Sequence, residues 1–183
     1  MRTKPNALRY GAFAIAISLL FSLSFAQEGP ALSLKQEKRF SYCCIPYKGP
    51  LADIATVISQ LMQSMQGQNL FASIRGPMVG IYYNSPADTK PADLLWEVGF
   101  PVAEGTTVQP PLVKKEWNYP EVAVAVHKGA YAKAGETIQH IMDWIKANNY
   151  VVGGPVMDRY LNNPMQVKPE ELLTEIWIPV FQK

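Results

Sequence analysis

Two stretches of the chain repeat one pattern of apolar and polar positions. Each opens on a short strand-like run, residues 40–46 and 121–127, and in the second Val122, Val124 and Val126 alternate with Ala123 and Ala125 as in a half-buried strand. A helix follows in both. Leu51, Ile54, Ile58, Leu61, Met62 and Met65 fall at helical spacing in the first stretch, and Ile138, Ile141, Met142 and Ile145 do so in the second, where Asn148 and Asn149 supply a stop. Two more strands then follow. Gly76-Pro77 and Gly154-Pro155 open the third element, and the Asn/Pro/Lys loops at 84–91 and 162–169 separate it from a final strand at about 95–101 or 172–180.

The two patterns are copies in sequence as well. Lys48-Gly49 aligns with Lys128-Gly129; with a small change of offset, Gly76-Pro77 aligns with Gly154-Pro155, Tyr82 with Tyr160 and Pro86 with Pro164. Residues 90–102 then lie on residues 168–180 without a gap. Two copies with so long a period indicate an internal duplication and not a solenoid. The expected fold is α+β, with duplicated βαββ units about a pseudo-twofold axis, an antiparallel sheet, two helices on one face and a ligand groove on the other. The repeats cover about 39–102 and 121–180 of a domain spanning 39–183. Residues 103–120, with Pro110, Pro111 and Pro120, form the crossover between halves, and residues 27–38 read as a polar tail.

The N-terminus has a different character. Basic residues up to Arg9, an apolar run from Gly11 to Phe25 and the small-residue end Ser24-Phe25-Ala26 form a signal peptide, 1–26, with cleavage expected after Ala26. That run is short for a membrane span and carries Ser18, Ser22 and Ser24, so the mature product is expected to be exported, periplasmic or secreted, without a membrane anchor. The chain holds 17 Lys and Arg against 15 Asp and Glu. Arg2, Lys4 and Arg9 belong to the leader, which leaves the body near neutrality, without the basic surface that nucleic-acid binding needs. Cys43 and Cys44 are adjacent, so on a strand they face opposite sides and read as two small buried or half-buried thiols, since a vicinal disulfide needs a strained backbone. No zinc spacing or CxxC motif occurs, and His127 and His140 have ordinary structural readings; no metal or cofactor is implied.

Strand alternation nominates a site. Thr174, Ile176, Ile178 and Val180 share the face suited to packing beneath the helices, and Glu175 and Trp177 project to the other, as does Glu97 in the first copy. Asp158 shares a face with Tyr160, and Gly80 with Tyr82. If the helix-free faces of the halves meet, Glu97, Asp158, Glu175, Tyr82, Tyr160 and Trp177 would form one acidic aromatic cleft. Such a cleft suits a cationic or polarised apolar ligand, a lipophilic cation among them, because ring faces attract positive charge and carboxylates supply the counter-charge.

Residues 126–131, the helix containing Trp144-Ile145, residues 154–160 and residues 174–180 together resemble the GyrI-like domain, the effector-binding domain of AraC- and MerR-type multidrug-responsive regulators. The resemblance runs from about Phe40 to Val180 and implies a duplicated βαββ fold whose groove binds small, often cationic and aromatic molecules through an acidic residue. It places that role on Asp158, at the acid-x-Tyr position, with Tyr160 beside it, and on Glu175 in Thr174-Glu175-Ile176. The family usually has Glu where this chain has Asp158, and the shorter side chain shifts the expected weight to Glu175. No helix-turn-helix pattern precedes the domain. The resemblance therefore implies an exported small-molecule-binding protein without a DNA-binding domain.

Other uses compete. Some members of the fold family resemble hydrolases in which groove carboxylates activate water against reactive, ring-strained compounds, a role that would fall on Glu175 with Asp158 or Glu97. A tetrapyrrole site of the related SOUL type would have to rely on His127 or His140. Residues 113–120, with Trp117 and Tyr119, read as a docking loop for a protein partner or as a cover for the groove edge.

Overall fold

The computed structural model describes residues 30–183; the signal peptide and cleavage site expected from the sequence lie outside the described residues. In chain order the elements are β1 (Leu32–Gln36), β2 (Phe40–Lys48), α1 (Ile54–Gly67), β3 (Val79–Tyr82), β4 (Leu95–Pro101), β5 (Val113–Trp117), β6 (Glu121–Lys128), α2 (Ala134–Ala147), β7 (Tyr150–Val152), β8 (Val156–Tyr160) and β9 (Leu173–Gln182). The fold is α+β. The nine strands among the described residues pair antiparallel in the order β1-β6-β9-β8-β3-β4-β2-β5, and β7 pairs with the far end of β9.

The helices take the places their apolar spacing assigned. α1 buries Val57, Leu61 and Met65, each four residues apart and so on one stripe. α2 buries Ala134, Thr137, Ile141 and Ile145. Past each helix an asparagine turns the chain through left-handed backbone, Asn69 at φ 56° and Asn149 at φ 63°, a conformation asparagine tolerates better than most residues. α1 packs over β2 and β4 in a core with Cys43, Trp96 and Val98; α2 packs over β6, β7 and β9 in a second core with Ala123, Ala125, Ile176 and Ile178. Both helices lie on one sheet face, and the two central strands, β3 and β8, run between them.

The helix-free face has its own core, built from Tyr42, Cys44, Val79, Ile81, Trp117, Val124, Met157 and Trp177. Phe40 of β2 and Trp177 of β9 are four strand positions apart, which would separate them by about 19 Å in a flat sheet. Their ring centroids are 6.5 Å apart. The sheet is therefore strongly curled, and this face closes on its own side chains. Cys43 and Cys44 are free, buried thiols on opposite faces, as strand alternation requires.

Three strands depart from the sequence reading: β7 forms between α2 and β8 where none is expected, and two more lie at the sheet edges. The expected polar tail contains β1, and the crossover contains β5; these are the two edges of the sheet. Neither has an apolar pattern to reveal it. β1 is held by the β6 edge, by Lys35 Nζ at 4.3 Å from the Trp177 ring centre and by Gln36 Nε2 donating to Glu121 Oε1 at 2.6 Å. β5 is held by the β2 edge and by Trp117, which is buried beside Phe40.

Candidate functional site

Register between the central strands decides which side chains meet. Gly80 lies opposite Asp158, and Asp158 lies opposite Ile176, an α2-core residue. Asp158, Gly80, Tyr82 and Tyr160 therefore sit on the helix-bearing face, in the strip between α1 and α2. Glu97 lies opposite Ile81, Met157 opposite Trp177, and Arg159 opposite Glu175, all on the helix-free face. The expected cleft of six residues thus does not form. The structure brings Asp158, Tyr82 and Tyr160 together, and it places Glu97, Glu175 and Trp177 behind the sheet. Alternation along each strand was legible, but the phase of β8 against β9 depends on pairing, and a one-residue difference in phase exchanges the faces.

The strip between the helices has a distinct floor. The Tyr82 and Tyr160 hydroxyls are 2.9 Å apart and close over Gly80, where a Cβ would stand 2.8 Å from each. Only glycine leaves room for this pair. The Tyr131 ring, from the turn that leads into α2, meets Tyr160 edge-on at 5.3 Å between centroids. Beneath them Asp158 is 8% exposed, and its Oδ1 is buried without a hydrogen-bond partner. Burial pushes its carboxyl up from 3.8 to about 7. Both tyrosines are held well above the ordinary phenol range, first by burial and also by the neighbouring Asp158 charge, and they remain neutral hydroxyls.

The two ends of the strip differ chemically. At the α1 end Trp96 packs on Tyr47 at 4.9 Å and donates from Nε1 to Gly49 O at 2.9 Å, and the Tyr47 hydroxyl donates to Asp53 Oδ2 at 2.6 Å. At the α2 end the residue in Trp96's aligned place is Thr174, 1% exposed, with its Oγ1 unpartnered. Beside it His127 Nδ1 lies 2.9 Å from Thr137 Oγ1 and Nε2 lies 3.2 Å from Ala130 O. Both ring nitrogens have partners within the fold.

On the other face the carboxylates are already engaged. Glu97, 1% exposed, accepts from the Tyr42 hydroxyl at 2.6 Å and the Tyr83 hydroxyl at 2.9 Å, and it pairs with Lys115. Burial alone would lower the Lys115 ammonium, but the hydrogen bond and charge of Glu97 outweigh it and raise it, so the ammonium keeps its proton. Glu175 pairs with Arg159, whose guanidinium lies 4.3 Å from the Trp177 ring centre. Trp177 is 1% exposed and packed in the core. Both carboxylates on this face are paired, in contrast to Asp158, although Arg159 Nε and Trp177 Nε1 are buried there without a partner. The weight that the sequence reading put on Glu175 therefore moves to Asp158. Tyr131, Gly80 and Thr174 join the site. Tyr131 stands in the Gly129-Ala130-Tyr131 turn of the family resemblance, which was the available signal for it; Thr174 stands in the Thr174-Glu175-Ile176 motif, where alternation assigned it to packing beneath the helices and not to the site.

No group of three or more His, Cys, Asp or Glu suited to a metal ion occurs among the described residues. No described helix is long and apolar enough to cross a membrane.

An antiparallel sheet with two helices on one face, framing a strip floored by a buried carboxylate and walled by tyrosines, defines a small-molecule-binding domain. The sequence model of the family described as the GyrI-like small molecule binding domain matches residues 26–180, and the chain belongs to that family. A search of curated protein sequences finds no match. Among solved structures, the EcmrR C-terminal domain superposes with a TM-score of 0.74 at 15% identity, over 84% of this chain and 99% of that one. A hydrolase encoded by lin2189 from Listeria innocua gives 0.64 at 14% identity, over 86% and 95% of the two chains. SAV2435 bound to tetraphenylphosphonium gives 0.59 at 15% identity, over 82% and 94%. At these identities the likeness shows the fold alone.

Proposed function

We propose that this chain is an exported binding protein for amphipathic organic cations, with Asp158 as the counter-charge and Tyr82, Tyr160 and Tyr131 as the aromatic walls. The observation that carries the reading is Asp158 itself: it is buried on the sheet floor, no basic side chain among the described residues is paired with it, and one oxygen lacks any partner there. A buried carboxylate of this kind destabilises a fold unless something else satisfies it. A cation entering between the helices would do so, and the ring faces would add about 0.5–2 kcal/mol per contact. The tetraphenylphosphonium in the SAV2435 structure, a protein of this fold, supports this class of ligand. Export rests on the leader, residues 1–26.

The test is calorimetric titration of the mature protein with tetraphenylphosphonium and with neutral tetraphenylmethane-type isosteres. Selective binding of the cation is expected, with Asp158→Asn weakening it by about 10- to 100-fold, the range for a charge-assisted contact. Equal binding of cation and neutral isostere would refute the electrostatic role. Export is tested separately, by fractionating cells that express the full chain; retention of residues 1–26 on a cytoplasmic product would refute it.

Hydrolysis is the second reading, favoured by one observation. A carboxyl near 7 is matched to general-base work at neutral pH. In this reading the candidate is Asp158 and not Glu175, because Glu175 is ion-paired on the far face. Turnover of a ring-strained electrophile that is lost in Asp158→Asn and retained in Glu175→Gln would establish it.

A further inference from the structure

The strip between the helices contains two buried polar atoms without partners, and both lie at its α2 end. One is Asp158 Oδ1 and the other is Thr174 Oγ1, in residues 8% and 1% exposed. They stand on adjacent paired strands. Asp158 is opposite Ile176 and Tyr160 is opposite Thr174, so Asp158 and Thr174 are diagonal neighbours on one face, about 7–8 Å apart at the backbone. Their side chains reach far enough for one compact donor group to touch both. The α1 end offers nothing similar, since Trp96 fills the aligned place and its indole N–H is used by Gly49 O.

Resting on the cation-binding reading above, we propose that the groove selects cations that carry N–H donors, such as primary ammonium or amidinium groups, with Asp158 and Thr174 as paired acceptors. The argument is one of hydration. A primary ammonium is more strongly hydrated than a quaternary ammonium or phosphonium ion, so an aromatic strip with a single carboxylate favours the quaternary ion. Preference for the N–H-bearing ion arises only where several acceptors replace its water. Thr174 supplies the second acceptor, and the His127 ring beside it, already bonded to Thr137 and Ala130, leaves the threonine hydroxyl uncommitted. Access requires Tyr160 to swing away from Tyr82 and Gly80. The Tyr82 hydroxyl at 2.9 Å and the Tyr131 edge hold that ring closed.

The test uses two probes that differ only at nitrogen, 1-naphthylmethylammonium and its N,N,N-trimethyl analogue, titrated calorimetrically against wild type, Thr174→Val, Thr174→Ser and Asp158→Asn. Wild type should bind the ammonium at least about fivefold more tightly, the worth of one hydrogen bond. Thr174→Val should abolish that preference and leave the trimethyl affinity within about twofold, and Thr174→Ser should restore it. Absence of the preference in wild type, or its persistence in Thr174→Val, overturns the inference; the wild-type comparison decides even if the valine variant does not fold. Asp158→Asn separates the two levels. If it weakens both probes while wild type shows no preference, the cation groove stands and the N–H selectivity falls; if it weakens neither, both fall.

Discussion

Asp158→Asn should stabilise the ligand-free protein, and by an amount that depends on pH. Burial raises the folded-state carboxyl from 3.8 to about 7, so the folded form holds this proton more tightly than the unfolded chain. Below pH about 4 both states are protonated and there is no penalty. As pH rises from about 4 to about 7 the unfolded state releases its proton while the folded state retains it, and stability falls across this window. Above about 7 the folded state must bury the ion. The limiting penalty is about 3 pH units at about 1.4 kcal/mol each, or about 4 kcal/mol. Asparagine cannot ionise and removes the slope; its amide adds only a pH-independent offset. Urea unfolding of both proteins at intervals between pH 4 and 8.5 measures this. The difference in unfolding free energy should move in favour of the variant by about 2–4 kcal/mol across the range, the lower figure allowing for relaxation around the ion. Parallel curves would refute the assignment of Asp158 as a buried, uncompensated carboxyl. The same linkage governs binding, because a cation requires the ionised form. Affinity for a permanent cation should rise about tenfold per pH unit below 7, level off above it, and be independent of pH in the variant.

Other consequences follow from contacts elsewhere in the fold. Removing the ammonium in Lys115→Met leaves buried Glu97 with its two tyrosine donors but no counter-charge, and should lower stability by about 2 kcal/mol, less than for a fully buried pair because the lysine is a third exposed; chemical denaturation reads it. Gly99→Ala drives a Cβ to within 2.1 Å of the Cys43 carbonyl oxygen, a backbone atom that cannot move aside, and should destabilise by about 3 kcal/mol or prevent folding. Gly80→Ala instead meets only the far ends of Tyr82 and Tyr160, so the protein should fold with a separated tyrosine pair and altered cation affinity, both visible by crystallography and titration. Both thiols, held above their usual range by burial, should resist a thiol reagent in the folded protein and react as two free thiols after unfolding.

Much of this fold can be read from local pattern, because each helix and most strands obey a period of their own. Residues 54, 58, 61 and 65 mark α1, and the Val/Ala alternation of residues 122–126 marks β6. The edges could not be read that way. β1 and β5 are strands because β6 and β2 each present an unpaired edge, and the polar Leu32–Gln36 and Val113–Trp117 sequences carry little of that information themselves. The site shows the same division. That Asp158 and Tyr160 share one side of a strand follows from a spacing of two, and so does the separate pairing of Glu175 with Trp177. Which of these sides bears the helices is set by the Asp158–Ile176 register, a contact between distant residues. The curl of the sheet is also nonlocal. It brings Phe40 onto Trp177 and fills the helix-free face with aromatic core, while α1 and α2 stand apart over the outer strands.

The central claim is that the cation meets Asp158 between the helices and not Glu175 behind the sheet. Titrating tetraphenylphosphonium into Asp158→Asn and Glu175→Gln side by side, at pH 8 where the wild-type carboxyl is ionised, tests it most directly. Loss of at least about tenfold in affinity for Asp158→Asn, with Glu175→Gln close to wild type, is the expected result. Loss in Glu175→Gln with Asp158→Asn unaffected would place the ligand on the opposite face and contradict the account.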